Sequence, residues 1–128
     1  IESGKEKEKF FKKVNDTYGH NCGDQVLTDL AKLFKEKTLG LGHVCRWGGE
    51  EFLFFFPGLN LDEASTLMDN IRLAISDLTI VYKDISLHVT MTFGLEEYDY
   101  HSSPSEMVKH ADDKLYYGKT HGRDTVIF

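Results

Sequence analysis

An α/β (α+β) sandwich, with helices laid over a mostly antiparallel central sheet, is the fold class this sequence predicts, and three observations predict it. Segments with apolar residues at helical spacing alternate with short segments of strand character. A Gly-Gly pair within Arg46-Trp47-Gly48-Gly49-Glu50-Glu51-Phe52 marks a tight hairpin, because glycine accepts the positive backbone dihedrals that such a turn needs. The second arm of that hairpin, Glu51 to Phe56, is continuously apolar after its first residue, which suggests a strand covered on both faces by packed helices.

The elements follow in order. From Asp24 to about Lys37, the residues Val26, Leu27, Leu30, Ala31, Leu33 and Phe34 recur at helical spacing and define one apolar face. Asp24 opens that pattern, so N-capping is one reading of its carboxylate. His43 to Trp47 and Glu51 to Phe56 form the hairpin arms, and Pro57-Gly58 ends the second. Asn60 with Glu63 makes a capping box for a helix whose face is Ala64, Leu67, Met68, Ile71, Ala74, Ile75 and Leu78. Ile80 to Tyr82 reads as a short strand. Leu87, Val89, Met91 and Phe93 alternate with His88, Thr90 and Thr92 as a longer one. Ser103-Pro104-Ser105-Glu106 sets a cap, a first-turn proline and a reciprocal acid ahead of a last helix that stops near Gly122. Thr125 to Phe128 closes the sheet.

Bulk properties bound the function. At 128 residues, 41% hydrophobic and 28% charged, the chain suffices for one sizeable core and not for two. Its longest apolar run, Phe52 to Phe56, is far too short to span a membrane, and no basic, apolar secretory leader is present. A net charge of -6 argues against nonspecific nucleic-acid binding, which needs a basic face. It leaves room for a nucleotide held by a few converging cations. Cys22 and Cys45 lack metal-ligand spacing and read as reduced thiols of a cytosolic protein. The six histidines show no zinc-binding arrangement.

The chemistry concentrates at the hairpin. Glu50 and Glu51 are adjacent, and adjacent strand residues face opposite sides of a sheet, so at most one is a first-choice metal ligand. The glycines beside them let a substrate approach the backbone where any side chain would collide. The alternative is a solvated hairpin whose acids only keep the turn soluble.

Three separated motifs carry a family resemblance. Gly48-Gly49-Glu50-Glu51-Phe52 resembles the signature of GGDEF-type diguanylate cyclases in its GGEEF spelling. Upstream, Phe11-Lys12-Lys13-Val14-Asn15-Asp16-Thr17-Tyr18-Gly19-His20 with Gly23-Asp24 is similar to the family's FKxxND-x-x-GH…GD segment. Downstream, Ala111-Asp112, Leu115-Tyr116, Lys119 and Gly122-Arg123 resemble its closing AD-x-x-LY-x-AK-x-x-GR segment.

The resemblance sharpens the fold to the palm-like domain of nucleotidyl cyclases, mostly antiparallel at its centre and flanked by helices. It implies condensation of two GTP molecules into cyclic di-GMP, each ribose 3′-hydroxyl attacking the other nucleotide's α-phosphate and expelling pyrophosphate. Glu50 matches the family's variable acidic position. It is implied to bind Mg²⁺ or Mn²⁺ and to help deprotonate the attacking hydroxyl, since hard cations prefer oxygen ligands. Glu51 is a second metal candidate or a hairpin-fixing group. Lys12, Lys119 and Arg123 match positions facing the triphosphate, Asn15 and Asp24 match those that read guanine, and Gly48 and Gly49 would lie over the nucleotide. Tyr18, Gly19 and His20 read as loop architecture. Each domain would hold half a reaction centre, so a homodimer about a two-fold axis is implied. A bacterial, cytoplasmic setting is implied too, with a regulatory sensor or receiver domain elsewhere in the chain and no direct membrane contact by this domain even where the sensor is membrane-bound.

The sequence also departs from the family pattern. An apolar central strand ending in D-x-D normally precedes the FKK segment and supplies a metal-binding Asp. Here Lys7 and Lys9 take those offsets, and Glu6-Lys7-Glu8-Lys9 cannot be a buried strand, because each charge would be costly to desolvate. The expectation is one GGDEF domain over residues 1–128, N-terminally incomplete. Residues 1–10 are then the tail of a preceding helix, and the central strand is absent between Phe10 and Phe11 through a real deletion, through truncation or, the favoured explanation, because the segment belongs to the protein but not to these 128 residues. The competing function is a degenerate GTP-binding regulatory module, and a third is an interaction scaffold. Leu39 and Gly42 replace the R-x-x-D of the product-inhibition site, so feedback through that site is not expected. Trp47 stands for the commoner tyrosine. Asp124 stands for the usual asparagine, where its charge would weaken the pull of Arg123 on phosphate.

Overall fold

The computed structural model describes residues 17–48, 51–98 and 101–128. In chain order these form α1 (His20–Thr38), β1 (His43–Gly48), β2 (Glu51–Phe55), α2 (Leu61–Asp77), β3 (Ile80–Tyr82), β4 (Ile85–Leu87), β5 (Phe93–Gly94), α3 (Pro104–Thr120) and β6 (Val126–Ile127). The strands pair as three ladders: β1 with β2 and β3 with β4, both antiparallel, and β5 with β6 in parallel. Helices over a largely antiparallel set of strands make the α/β sandwich that the periodicities predict.

One continuous core ties the layers together. Val26, Leu27, Leu30 and Phe34 from α1 meet Met68, Ile71 and Ile75 from α2, and both rows close on Phe52, Ile80, Val89, Met91 and Phe93. Phe34 sits edge-on to Phe52 at 4.9 Å and to Phe54 at 5.0 Å, so α1 covers the face of β2 that carries these alternate residues. The opposite face, expected to be covered too, is covered only in part: Glu51 and Leu53 are half-buried and Phe55 is 61% exposed. The apolar run hid this unequal cover because its outward residues are apolar as well.

The helix ends show how local chemistry sets boundaries. At α2 the capping box forms as expected: Asn60 Oδ1 accepts from the Glu63 N–H at 2.8 Å, and Glu63 Oε1 accepts from the Asn60 N–H at 3.2 Å. At α3, Ser103 Oγ accepts from the Glu106 N–H at 3.2 Å and Pro104 takes the first helical position. α1 departs from expectation. It begins at His20, so His20 is helical and Asp24 is its fifth residue, not its cap. The cap position belongs to Gly19 at φ 94, a conformation that glycine adopts without strain, and no side chain caps the end.

The long strand expected over Leu87 to Phe93 is divided. Leu87 ends β4, paired to Ile80, while Phe93 starts β5, paired to Val126. Residues 88–91 keep the alternation, with Val89 and Met91 buried and His88 and Thr90 exposed, and Thr92 breaks it by being buried too, yet residues 88–92 make no ladder among the described residues. Side-chain burial and backbone pairing are separate requirements, and only the first is written in an apolar alternation. Both cysteines are free thiols, Cys22 buried and Cys45 exposed. Among the described residues, no helix is long and apolar enough to cross a membrane.

Candidate active site

The hairpin tip starts from its register. His43 to Arg46 pair in sequence with Phe55 to Phe52; an irregularity follows Arg46, and Gly48 then pairs with Glu51. Gly48 is therefore the last paired residue of β1, not a turn residue, and Glu51 opens β2 directly across from it. A carboxylate-bearing residue is thus paired with a position that carries no side chain. Glu51 is half-buried. Gly49 and Glu50, which join the arms, lie outside the described residues, as do Lys12 and Asn15.

Lys119 and Arg123 both belong to the C-terminal end of α3, one in its last turn and the other in the loop that follows. Lys119 lies in its last turn and is buried, 9% exposed. The helix ends at Thr120, and the Arg123 N–H donates back to the Gly118 carbonyl at 2.9 Å, closing the turn. Two glycines let this helix end sit tightly. A Cβ on Gly94 would collide with the Ala111 carbonyl, and one on Gly118 would lie 2.7 Å from Thr92 Cγ2. Asp24 is exposed on α1, away in sequence from both groups, and its carbonyl accepts from Thr28 Oγ1 at 2.8 Å.

The loop after α3 is built from three successive positive-φ residues: Gly122 at 106°, Arg123 at 59° and Asp124 at 46°. For the two non-glycine residues this costs about 1–2 kcal/mol each. Arg72 of α2 holds the loop. Its Nη1 donates to the Asp124 carboxylate at 2.9 Å and to the Asp124 carbonyl at 3.2 Å, while its Nε donates to Asp69 at 2.8 Å. From the other side, the Asp124 N–H donates to Thr92 Oγ1 at 3.0 Å. Hydrogen bonds to Asp69 and then Asp124 push the Arg72 guanidinium above its already high range, so it stays charged. The Asp124 carboxylate, 40% exposed, is paired with Arg72, 18% exposed, so part of its charge is offset there.

Arg72 and Thr92 were missed in the sequence because their partner is distant along the chain. Arg72 shows there only as the i,i+3 neighbour of Asp69, a pairing common on helix surfaces.

Among the described residues, no group of three His, Cys, Asp or Glu side chains is arranged to hold a metal ion. The donor chemistry of Glu51 nevertheless fits a hard divalent cation, since carboxylate oxygen is its preferred ligand.

Comparison with known proteins identifies the family. A family model described as "Diguanylate cyclase, GGDEF domain" matches residues 8–125. The chain is 36% identical over 118 residues to diguanylate cyclase A of Treponema denticola, covering 91% of this chain and 32% of that protein. It is 35% identical over 124 residues to the response regulator PleD of Caulobacter vibrioides, covering 92% and 27%. Among solved structures, the GGDEF domain of DgcB from Caulobacter crescentus in complex with c-di-GMP superposes with a TM-score of 0.83 at 30% identity, covering 91% of this chain and 70% of that one. The active GGEEF domain of a diguanylate cyclase from Vibrio cholerae gives 0.80 at 28%, covering 91% and 74%. The chain spans about a third or less of the length of these two curated relatives.

Proposed function

The chain belongs to the GGDEF domain family of diguanylate cyclases, and on that premise we propose that it condenses two GTP molecules into cyclic di-GMP with release of pyrophosphate. The observation that carries this reading is the Gly48–Glu51 pair, a carboxylate-bearing residue paired with a glycine at the tip of a hairpin.

The residues take these roles. Lys119 and Arg123, with Lys12, offset the charge of the triphosphate as pyrophosphate departs. Glu50, with Glu51 as the second candidate, would hold Mg²⁺ or Mn²⁺. A divalent ion bound there supplies charge neutralisation at the phosphates. The Glu50 carboxylate would also help take the proton from the attacking 3′-hydroxyl. Asn15 and Asp24 read the guanine edge. The exposure of Asp24 on α1, free of the capping role, supports that assignment. Gly48 and Gly49 admit the nucleotide against the backbone. Because each domain holds one GTP, the reaction needs two copies facing each other, and regulatory domains elsewhere in a longer cytoplasmic protein would govern their approach.

The central strand also enters as a proposal: a segment between Phe10 and Phe11 belongs to the native protein. Support comes from Glu6-Lys7-Glu8-Lys9, a charged run that cannot serve as the buried strand expected ahead of the FKK segment. The intact mass of the native protein checks it.

The test is to incubate the full-length protein with GTP and Mg²⁺ and to assay cyclic di-GMP. Product is expected, and Glu50→Gln is expected to lower the rate by about 100-fold or more, the scale of losing a group that stabilises transition-state charge. Lys7 and Lys9, at the offsets of the D-x-D acids, favour a second reading, a GTP-binding module without turnover. Tight GTP binding with no product would select it.

A further inference from the structure

We propose that Arg72 is a positioning residue for nucleotide binding, acting through Asp124 to aim Arg123. The inference rests on the proposed role of Arg123 at the triphosphate and adds a residue of α2 to that site. It starts from the backbone. The Arg123 N–H is anchored to the Gly118 carbonyl at 2.9 Å, and the next N–H, that of Asp124, is anchored to Thr92 Oγ1 at 3.0 Å. Arg123 is thus bracketed on both sides while holding a left-handed conformation that arginine disfavours. Asp124 holds the same left-handed conformation, which aspartate tolerates better than arginine but does not require.

Arg72 supplies the requirement. One nitrogen, Nη1, grips both the carboxylate and the carbonyl of Asp124, at 2.9 and 3.2 Å, so the side chain and the backbone of that residue are fixed together. Asp69 takes Nε at 2.8 Å and holds the guanidinium on α2. Charged donors paired with charged acceptors give short, directional bonds. With the grip removed, Asp124 relaxes toward negative φ and the Arg123–Asp124 peptide rotates. The Arg123 side chain then leaves its bearing although its own residue is untouched. A misaim of about an ångström suffices to weaken a positioned contact strongly.

The experiment measures binding of a non-hydrolysable GTP analogue with Mg²⁺ to the full-length protein by calorimetry. Arg72→Gln is expected to bind about tenfold more weakly, the scale of one charged hydrogen bond to phosphate. Arg72→Lys, which keeps the charge and one reach to Asp124, is expected to recover part of the loss. On an Arg123→Ala background, Arg72→Gln should add nothing, because the aimed group is gone; a merely structural role would add its full loss there. Should Arg72→Gln fail to give a cooperative thermal melt, Asp124→Ala, which leaves the Arg72–Asp69 bond in place, replaces it with the same expected loss. Wild-type affinity in the variant, or an undiminished extra loss on the Arg123→Ala background, overturns the inference and leaves the proposed function standing. A wild type that binds no analogue ends both.

Discussion

At the scale of the residue, burial sets what each group can contribute. Cys22 is fully buried on α1, and loss of hydration pushes its thiol above the ordinary value of 9.0. In the unfolded chain the same thiol ionises near its ordinary value, so raising the pH past that point favours unfolding. The stability Cys22 contributes is therefore complete below about pH 9 and is lost as pH climbs toward its folded value. Urea unfolding from pH 7 to 10 should show a smaller alkaline loss for Cys22→Ala than for the natural chain, whatever the offset from the lost side chain. Parallel curves would mean that the thiol ionises equally in both states. Asp124 teaches a related lesson. Its formal charge stands next to Arg123 in the sequence, and the fold gives it Arg72 as a hydrogen-bonded partner, so a charge is judged by what it touches as well as by its neighbours.

At the scale of the element, the ends were more readable than the pairings. The capping box at Asn60 and the Ser103-Pro104 start are interactions across three or four residues, and both form where the sequence places them. α1 escaped the same logic because its first residues, His20 to Gly23, carry no capping signature and a glycine makes the entry. The contact of α3 with β5 depends on a feature with no periodicity, the absence of a side chain at Gly94. Gly94→Ala would push a methyl into the α3 backbone, where relief requires the helix to move. A loss of about 1–3 kcal/mol is expected, the usual scale of overpacking, read as a lower thermal midpoint. An unchanged midpoint would show that β5 and α3 separate freely.

At the scale of the whole molecule, the proposed reaction needs two nucleotides held on two chains. Turnover per chain should then rise with protein concentration in the dilute range and level off once dimers dominate, as for any equilibrium governed by mass action. Cyclic di-GMP formation measured across a dilution series of the full-length protein checks this. A rate per chain independent of concentration well below the dissociation constant, with monomer mass confirmed by ultracentrifugation, would place both GTP sites on one chain. A common core joins the hairpin to α1, and α3 packs on β5 and β6 beside it, which explains how a 128-residue domain can offer groups from distant segments at a stable spacing.

The amino-acid sequence alone determined the helical faces, the hairpin and its acids, two helix caps and the three motifs of the family, because each is written within a few neighbouring residues. Tertiary structure decided the rest. It set Gly48 against Glu51, divided the Leu87–Phe93 alternation between two ladders, moved Asp24 off the cap, and matched Asp124 to an arginine 52 residues away. The physical reason is range: periodicity and capping are satisfied by the chain next door, whereas backbone pairing and charge compensation are satisfied by whatever the folded core brings alongside.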